Sequence, residues 1–431
     1  HGCKASHRPG HFEWKRVDGA RLEQPTTKRR HRRNFEDVLN ESTQSAAPSC
    51  RKGKGKTKLS VAVDRMKQAL AHLPAWHGAW QHMLGSTLGW AGYCADRAYG
   101  FLAHGTPLSR GLFWSGGWGD LSWADFHLHV QEMQQWPPKP IHMDMVEDKG
   151  PHRAALALAW KHKLMQGRFH TPCGDPIRQV LPPESHVGKM ALVLPQNKQV
   201  GDKIPCVLHL SGTGDQRFGR RLRLSAPLAD MGIASVILEN PMYGDRKPHG
   251  QKGAKLKYVS DLLALGKATI DESRSILHWL DQQGFGPLAI CGLSMGGVHA
   301  AMVASSCAKP IACVPLLAPH SASAAFCSTG VLRDACDWRK LDADEDVALE
   351  RLRELLDTFA NVLVLPCPPK PSAAIFVAAK HDAYVPMSSP LMLHEAWAGS
   401  ELRWVTGGHV SSFLFQGTHF RQAILDAMDR V

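Results

Sequence analysis

The sequence Gly-Leu-Ser-Met-Gly-Gly at residues 292–297 has the residue types of a nucleophile elbow. It follows an apolar run at 288–291 and precedes a helix-like stretch at 298–302. A G-x-S-x-G between a strand and a helix places its serine on a strained turn, and the glycines let neighbouring backbones pass closely. Ser294 is therefore the candidate nucleophile. The alternatives are a serine in a glycine-rich helix entry or a phosphate loop, although the P-loop form would need a Lys-Ser/Thr that does not follow.

A serine nucleophile needs a base, which a third group orients. Asp382 follows the apolar run at 375–379, and His409 follows the run at 402–405. Both residues stand where strands are expected to end, in the chain order Ser, acid, His that α/β-hydrolases use. Taken alone, Asp382 would be a helix cap or turn residue and His409 a structural histidine. Together the three residues predict a triad of Ser294, Asp382 and His409.

Two backbone amides are predicted to stabilise the oxyanion. One is the amide of Met295, the residue after the nucleophile. The other lies in the loop after the apolar run at 205–210, where Gly212 or Thr213 would turn an N–H inward. The sequence does not choose between these two neighbours.

Seven short apolar runs, separated by helix-like segments, position these residues. They lie at 189–194, 205–210, 234–238, 288–292, 311–317, 373–379 and 401–405. Buried runs of this length between helices are typical of parallel βαβ units, so we predict an α/β fold with a mostly parallel, doubly wound sheet. Ligands of such sheets bind at the carboxyl ends of the strands, where the candidate site residues fall.

The pattern divides the chain into three segments. Residues 1–58 are predicted to be a disordered basic tail, 59–170 a helical, Trp-rich N-terminal extension, and 171–431 the α/β domain. The stretch at about 319–371 is too long for a simple connection, so we predict a helical cap there. The composition, with 44% hydrophobic and 21% charged residues, excludes a wholly disordered, collagenous or coiled-coil protein.

Most of the formal charge of +12 lies in the tail, which has 15 Lys and Arg against 6 Asp and Glu, a net +9. The rest of the chain carries +3, so a nucleic-acid partner is not expected. The tail is either a solvated terminus or an organelle transit segment or anchor for an anionic membrane. Eleven singly spaced cysteines favour reduced thiols and an intracellular location.

Several segments resemble the α/β-hydrolase domain-containing protein 18 family. They are 209–215, 238–248, 292–297, 328–332 and 407–409, in a resemblance that is close over about 171–431 and weaker back to about 90. The resemblance implies an α/β-hydrolase fold and, by residue match, the triad of Ser294, Asp382 and His409. Members are regarded as lipid or ester hydrolases, often mitochondrial. The segment between 336 and 371 is shorter than in animal members, a difference that concerns the cap and the substrate range.

Basic residues near the oxyanion loop have two interpretations. The candidate substrate-binding residues are Arg217, Arg220, Tyr243 and Arg246. Arginine can bind a phosphate through paired donors, so this group would hold an acidic head group while an acyl chain enters the cap. The alternative is a solvated helix face with ion pairs to acids such as Asp215 and Asp245.

No metal or organic cofactor is required by this chemistry. His127 and His129 have the spacing of a metal-binding pair, but no third ligand follows at a useful distance, so we interpret them as surface or packing residues.

The predicted function is a serine hydrolase that cleaves carboxylic esters, with lipid acyl esters, glycerophospholipids among them, favoured over small soluble esters. An acyltransferase would use the same triad, and a peptidase or thioesterase the same machinery. A catalytically silent binding or scaffold protein is the third class, because fold does not fix function.

Overall fold

Short apolar runs of the chain form the core strands of a nine-stranded sheet. The structure, a computed structural model, describes residues 77–106, 113–148, 162–328 and 331–431, so the predicted basic tail lies outside the described residues. The strands are β1 (Asp144–Glu147), β2 (Lys163–His170), β3 (Val187–Leu194), β4 (Cys206–Leu210), β5 (Ala234–Glu239), β6 (Leu288–Leu293), β7 (Ala312–Leu316), β8 (Ile375–Ala379) and β9 (Glu401–Val405).

The strand order is β1-β2-β3-β5-β4-β6-β7-β8-β9. The first three strands are antiparallel, and β3 also pairs antiparallel with β5, in a register that places Lys189 opposite Glu239. From β5 to β9 all neighbours are parallel. The carboxyl ends of β4, β6, β8 and β9 therefore meet at one edge of the sheet, as the predicted doubly wound topology requires.

Helices cover both faces of this sheet. In chain order they are α1 (His77–Gly100), α2 (Phe126–Gln134), α3 (Asp175–Val180), α4 (Gly219–Asp230), α5 (Val259–Gln282), α6 (Met295–Ser305), α7 (Trp338–Leu341), α8 (Glu345–Phe359), α9 (Ser388–Ala396), α10 (His409–Phe415) and α11 (Gly417–Met428). None of the described helices is both long and apolar enough to cross a membrane.

Alternate residues of the central strands pack against different helices. Leu208 and Ile290 point to the cluster that contains residues of α5 and α6, whereas Val207 and Ala289 point to the cluster that contains residues of α4 and α11. Successive side chains of a strand face opposite sides of a sheet, and here both sides are buried. This double burial is why the core strands read as continuous apolar runs.

All seven predicted strands are present, but two further strands come from the segment predicted to be helical. Strand β2 pairs with β3 along its whole length, from Lys163 opposite Leu194 to His170 opposite Val187. The sheet therefore begins before residue 171. The boundary predicted at that residue would wrongly assign the first two strands to the N-terminal extension. Strand β2 lies near the edge of the sheet and mixes buried, half-buried and exposed residues, so it lacks a continuous apolar run.

The described part of the connection between β7 and β8, where a cap is predicted, contains helices. It contains α7 and α8, and α8 turns Ala348, Leu352 and Leu356 into the core on successive turns. These residues join the apolar cluster that also holds Phe113, Trp114 and Phe326. The cap thus packs directly on the side of the sheet where α5 begins.

Candidate active site

Ser294 occupies a strained turn between β6 and α6. Its φ of 54° and ψ of −118° lie outside the regions that non-glycine residues normally adopt. A Cβ at Gly292 would lie 2.2 Å from the carbonyl oxygen of Gly296, and one at Gly296 would lie 2.7 Å from the carbonyl oxygen of Leu210. Only glycine fits either position, which is the local geometry of a nucleophile elbow.

The loop after β4 lies directly against this turn. A Cβ at Gly212 would be 2.9 Å from the carbonyl oxygen of Leu293 and 3.7 Å from Cβ of Ser294. The hydroxyl of Thr213 lies 3.7 Å from the Met295 sulfur. Because Met295 is the first residue of α6, its N–H belongs to the group that lacks partners within the helix. Both predicted oxyanion segments therefore flank the serine.

Asp382 and His409 are hydrogen-bonded to each other. His409 Nδ1 lies 2.7 Å from Asp382 Oδ2, and both side chains are buried. Asp382 Oδ1 accepts the backbone N–H groups of Tyr384 at 2.7 Å and Val385 at 2.8 Å. Because both oxygens of Asp382 accept hydrogen bonds, the carboxylate and the imidazole are fixed in orientation. This arrangement leaves Nε2 of His409 as the nitrogen that can exchange a proton with a nucleophile.

The electrostatic surroundings of His409 favour its protonated form. Burial lowers the pKa of His409, but the charge and hydrogen bond of Asp382, together with the charge of Asp96, raise it above the usual value of 6.5. The ring of Tyr384 lies over the imidazole, with centroids 4.9 Å apart. An imidazole with this environment is suited to accept a proton and to be stabilised as imidazolium.

Among the described residues, no hydrogen bond joins Ser294 Oγ to His409. Met295 and Val410, their neighbours in sequence, pack against one apolar cluster, but neither His409 nor Asp382 is among the residues that line the cavity at Ser294. Catalytic hydrogen bonds are often long without substrate and tighten in the reactive complex. The structure thus brings the acid and the histidine into contact and, within its described part, shows no hydrogen bond from the serine to either of them.

An apolar cavity opens at the serine. Ser294, Met295 and Thr213 line it together with apolar residues of the cap, of α5 and of α6. The apolar lining includes Leu128, Ile177, Leu263, Ile270, Val298, Met302, Phe326 and Phe359. Such a cleft, apolar with a few convergent polar groups, is the usual form of a site for a small organic ligand.

Four polar groups of the cavity wall, His129, His299, Glu132 and Lys267, are neutral or paired, and the Asp125 carboxylate accepts the N–H of Leu128 at the start of α2. Burial lowers the pKa of His129 to about 3 and that of His299 to about 4, so both imidazoles are uncharged at neutral pH. Lys267 lies 2.9 Å from Glu132 and 2.5 Å from Asp271. The wall therefore carries no isolated charge from these four groups.

The substrate-binding interpretation of Arg246 is wrong. Its side chain is 0% exposed, and its guanidinium is bonded to Glu272 at 2.6 and 2.8 Å and to the carbonyls of Glu239 and Ser185. Tyr243 is likewise in the core, 1% exposed. Neither residue lines the cavity at Ser294, so neither Arg246 nor Tyr243 is placed to bind a substrate there.

Arg217 follows the ion-pair alternative, whereas Arg220 lies against an aromatic ring. Arg217 lies 3.0 Å from Asp245 at the surface, and Arg221 lies 2.8 Å from the buried Asp215. Arg220 is exposed and lies over the ring of Phe413, 5.9 Å from its centroid. Neither Arg217 nor Arg220 lines the cavity.

One residue of the site escaped the sequence analysis. Asp96, in α1, is 0% exposed, and its carboxylate accepts the backbone N–H groups of Ala383, His409 and Val410 at 3.2, 2.5 and 2.8 Å. The only signal is that Asp96 ends a long uncharged stretch of α1 in which glycine recurs. Nothing in that pattern indicates which residues its carboxylate will bond.

No group of three or more His, Cys, Asp or Glu side chains in the described parts of the chain is arranged to hold a metal ion. His129 packs beside Phe359, with ring centroids 6.4 Å apart. Side-chain placement of His127 lies outside what the structure describes.

Solved structures similar to this chain include three esterases. The acetyl xylan esterase from Paenibacillus sp. R4 is 15% identical, with a TM-score of 0.49, over 74% of this chain and 99% of that chain. Acetyl xylan esterase 1 from Thermoanaerobacterium sp. JW/SL YS485 is 11% identical, with a TM-score of 0.45, over 73% and 96%. Est1E from Butyrivibrio proteoclasticus is 16% identical, with a TM-score of 0.39, over 56% and 95%.

The family profile described as "Alpha/beta hydrolase domain containing 18" matches residues 112–357 and 345–430. The two matched segments together span most of the chain and include the elbow, the Asp382 loop and the His409 loop. The strand order and the strained serine between β6 and α6 agree with the α/β-hydrolase fold that the resemblance implied. The chain therefore belongs to the alpha/beta hydrolase domain containing 18 family, and its fold is that of an α/β-hydrolase.

Proposed function

We propose that this protein is a serine hydrolase that cleaves carboxylic esters, with lipid acyl esters preferred. The observation that carries the proposal is the pairing of two features: a serine held at positive φ at the end of β6, and a buried histidine bonded to a buried carboxylate at the ends of β8 and β9. This combination of a strained serine with an oriented base is what nucleophilic acyl transfer requires.

In the proposed reaction, Ser294 Oγ attacks the ester carbonyl while His409 Nε2 takes the hydroxyl proton. Asp382 keeps the imidazole in the tautomer with its proton on Nδ1 and stabilises the imidazolium. The backbone N–H groups of Met295 and Thr213 then stabilise the tetrahedral oxyanion; of the two candidates in the loop after β4, Thr213 is preferred because it lines the cavity. Gly212 provides the close approach to the serine turn.

His409 next gives its proton to the leaving alcohol oxygen, and the acyl group stays on Ser294. A water molecule attacks this acyl-enzyme while His409 takes its proton. Collapse of the second tetrahedral intermediate releases the carboxylic acid and returns the proton to Ser294. Each step needs only residues of this chain, the ester and water.

The preference for lipid acyl esters rests on the lining of the cavity. Its walls are formed mainly by aliphatic and aromatic side chains, with neutral imidazoles, the Lys267–Glu132 pair and the Asp125 carboxylate among them. Removing apolar surface from water contributes about 25 cal/mol per Å², so such walls favour an acyl chain over a polar acid. The buried Arg246 offers no help to an acidic head group.

Labelling by a fluorophosphonate probe tests the proposal. The full-length wild type should become labelled at Ser294, identified by peptide mass spectrometry, and Ser294→Ala should abolish labelling while leaving the circular dichroism spectrum unchanged. Ser306→Ala, at the other end of α6, is the matched control and should label like wild type. Labelling that persists in Ser294→Ala would contradict the proposal.

A series of p-nitrophenyl esters separates the substrate classes. We expect kcat/KM to rise from the acetate to medium- and long-chain esters. A maximum at acetate would contradict the lipid preference. Transfer of the acyl group to added glycerol in preference to water would identify the acyltransferase alternative instead.

A further inference from the structure

One face of helix α1 packs against the two loops that carry Asp382 and His409. Gly89, Gly92, Asp96 and Gly100 are spaced three and four residues apart, so they share one face of the helix. A Cβ at Gly92 would lie 2.4 Å from the backbone nitrogen of Gly408, and one at Gly89 would lie 2.0 Å from the ring of His381. The glycines allow a contact between backbones that larger residues would prevent.

The carboxylate of Asp96 ties these two loops together. Oδ2 accepts the N–H of Ala383, the residue after Asp382, and also the N–H of His409 itself. Oδ1 accepts the N–H of Val410. One side chain from α1 therefore holds the backbone on both sides of the Asp382–His409 hydrogen bond, although it is 287 residues from one loop and 313 from the other.

Stability alone is a poor explanation for a carboxylate at this position. Burial raises the pKa of Asp96 above its usual value, against the three backbone hydrogen bonds that lower it, and the nearby charge of Asp382 raises it further. This site thus disfavours the charged form of Asp96 and lies near a second carboxylate, a pattern that is characteristic of functional sites.

We propose that Asp96 is a positioning residue of the active site, which fixes the acid and histidine loops in register and supplies a second negative charge behind His409. This inference rests on the proposed function, since it assigns Asp96 a role in the same reaction. Asp96 acts through the backbone and through its charge, and it does not touch the reacting atoms.

The groups that face His409 determine how far its pKa changes when the charge of Asp96 is removed. Asp382 and Asp96 are the two charges that act on it. Tyr384, which stacks on the ring, has a pKa raised by burial and stays neutral. His381, whose ring lies against α1, has a pKa lowered by burial and by Lys380. Removing the charge of Asp96 therefore leaves Asp382 as the one carboxylate that stabilises the imidazolium.

The test is the pH dependence of the fluorophosphonate labelling rate in Asp96→Asn and Asp96→Glu. His409 must be neutral to act as a base, so the rate falls as pH drops through its pKa. In Asp96→Asn that pKa falls, because one favourable charge is gone, and the acid limb should move to lower pH by about one unit. The plateau rate should fall about 100-fold as the loops lose their common anchor.

Asp96→Glu keeps the charge but adds a methylene. We expect its acid limb to stay near the wild-type pH while its plateau falls, because the longer side chain displaces the loops. Asp261→Asn is the matched control: Asp261 also accepts a backbone N–H, that of Tyr258, but does not act on His409. It should leave both the limb and the plateau unchanged.

The inference would be overturned by an Asp96→Asn protein whose acid limb coincides with that of wild type, even if its thermal midpoint fell, since that is the behaviour of a purely structural residue. If Asp96→Asn does not fold, Asp96→Glu decides: a wild-type plateau in that variant would equally refute the role. Failure of the proposed function is a different result, because Ser294→Ala would then still be labelled.

Discussion

Two buried carboxylates of this molecule have opposite surroundings. Glu272, on α5, is 0% exposed and accepts two hydrogen bonds from the equally buried Arg246, so the guanidinium neutralises the charge of the carboxylate. Asp96, on α1, is also 0% exposed, but its partners are three backbone N–H groups, and the charge of Asp382, another carboxylate, raises its pKa. The first arrangement is a neutral pair inside the core. The second places a carboxylate without a cationic side-chain partner among the described residues close to His409.

This difference separates charges that hold the fold from charges that act on the site. A paired buried charge contributes little net free energy while intact, but losing one partner is costly because the other is left uncompensated. An unpaired carboxylate beside a titratable imidazole changes that imidazole's pKa instead. Stability measurements should therefore respond to the first carboxylate, and the pH dependence of labelling to the second.

The largest expected effect is the removal of Arg246. Arg246→Gln leaves Glu272 buried without its cation, so we expect the free energy of unfolding to fall by about 3–5 kcal/mol, measured by urea denaturation. The fraction that remains folded should be labelled at the wild-type rate, because Arg246 does not reach the cavity. Arg217→Gln, which removes a surface pair, should cost about 1 kcal/mol or less. A specific loss of labelling in folded Arg246→Gln would show that the comparison is wrong.

A smaller effect is expected when α1 is moved away from the site. Gly92→Ala places a methyl group 2.4 Å from the nitrogen of Gly408, which must displace the loop that Asp96 anchors. We expect the labelling rate to fall about 100-fold, since small displacements of catalytic groups have effects of this size.

Gly219→Ala, at the start of α4, is the control for this variant, because a methyl group there meets no other atom within 4 Å. It should label like wild type. Equal labelling by Gly92→Ala and Gly219→Ala would mean that α1 has no part in positioning His409.

The elbow could be predicted from sequence because its constraints are local. Gly292, Ser294 and Gly296 lie within five residues, and their types follow directly from backbone contacts of the turn itself. The continuous apolar runs predicted all seven core strands for a similar reason, since each strand is buried on both faces. The half-buried β2 carries no such run and was assigned to the helical extension.

The features that could not be predicted involve hydrogen bonds between residues far apart in the sequence. Asp96 bonds to loops 287 and 313 residues further along the chain, so no spacing around it indicates its role. Arg246 was interpreted as a substrate-binding residue, because an arginine near the oxyanion loop can bind a phosphate through paired donors. Its actual partners, Glu272 and the carbonyl of Ser185, come from α5 and from a segment 61 residues earlier. Pairing of buried charges is a property of the folded arrangement, which local composition does not encode.

The structure of the fluorophosphonate adduct would test the central claim most directly. The account predicts phosphorus bonded to Ser294 Oγ, the phosphonyl oxygen about 2.7–3.1 Å from the backbone nitrogens of Met295 and Thr213, and His409 Nε2 within about 3.2 Å of an adduct oxygen. An adduct on another residue, or a phosphonyl oxygen directed away from both amides with His409 out of reach, would contradict it.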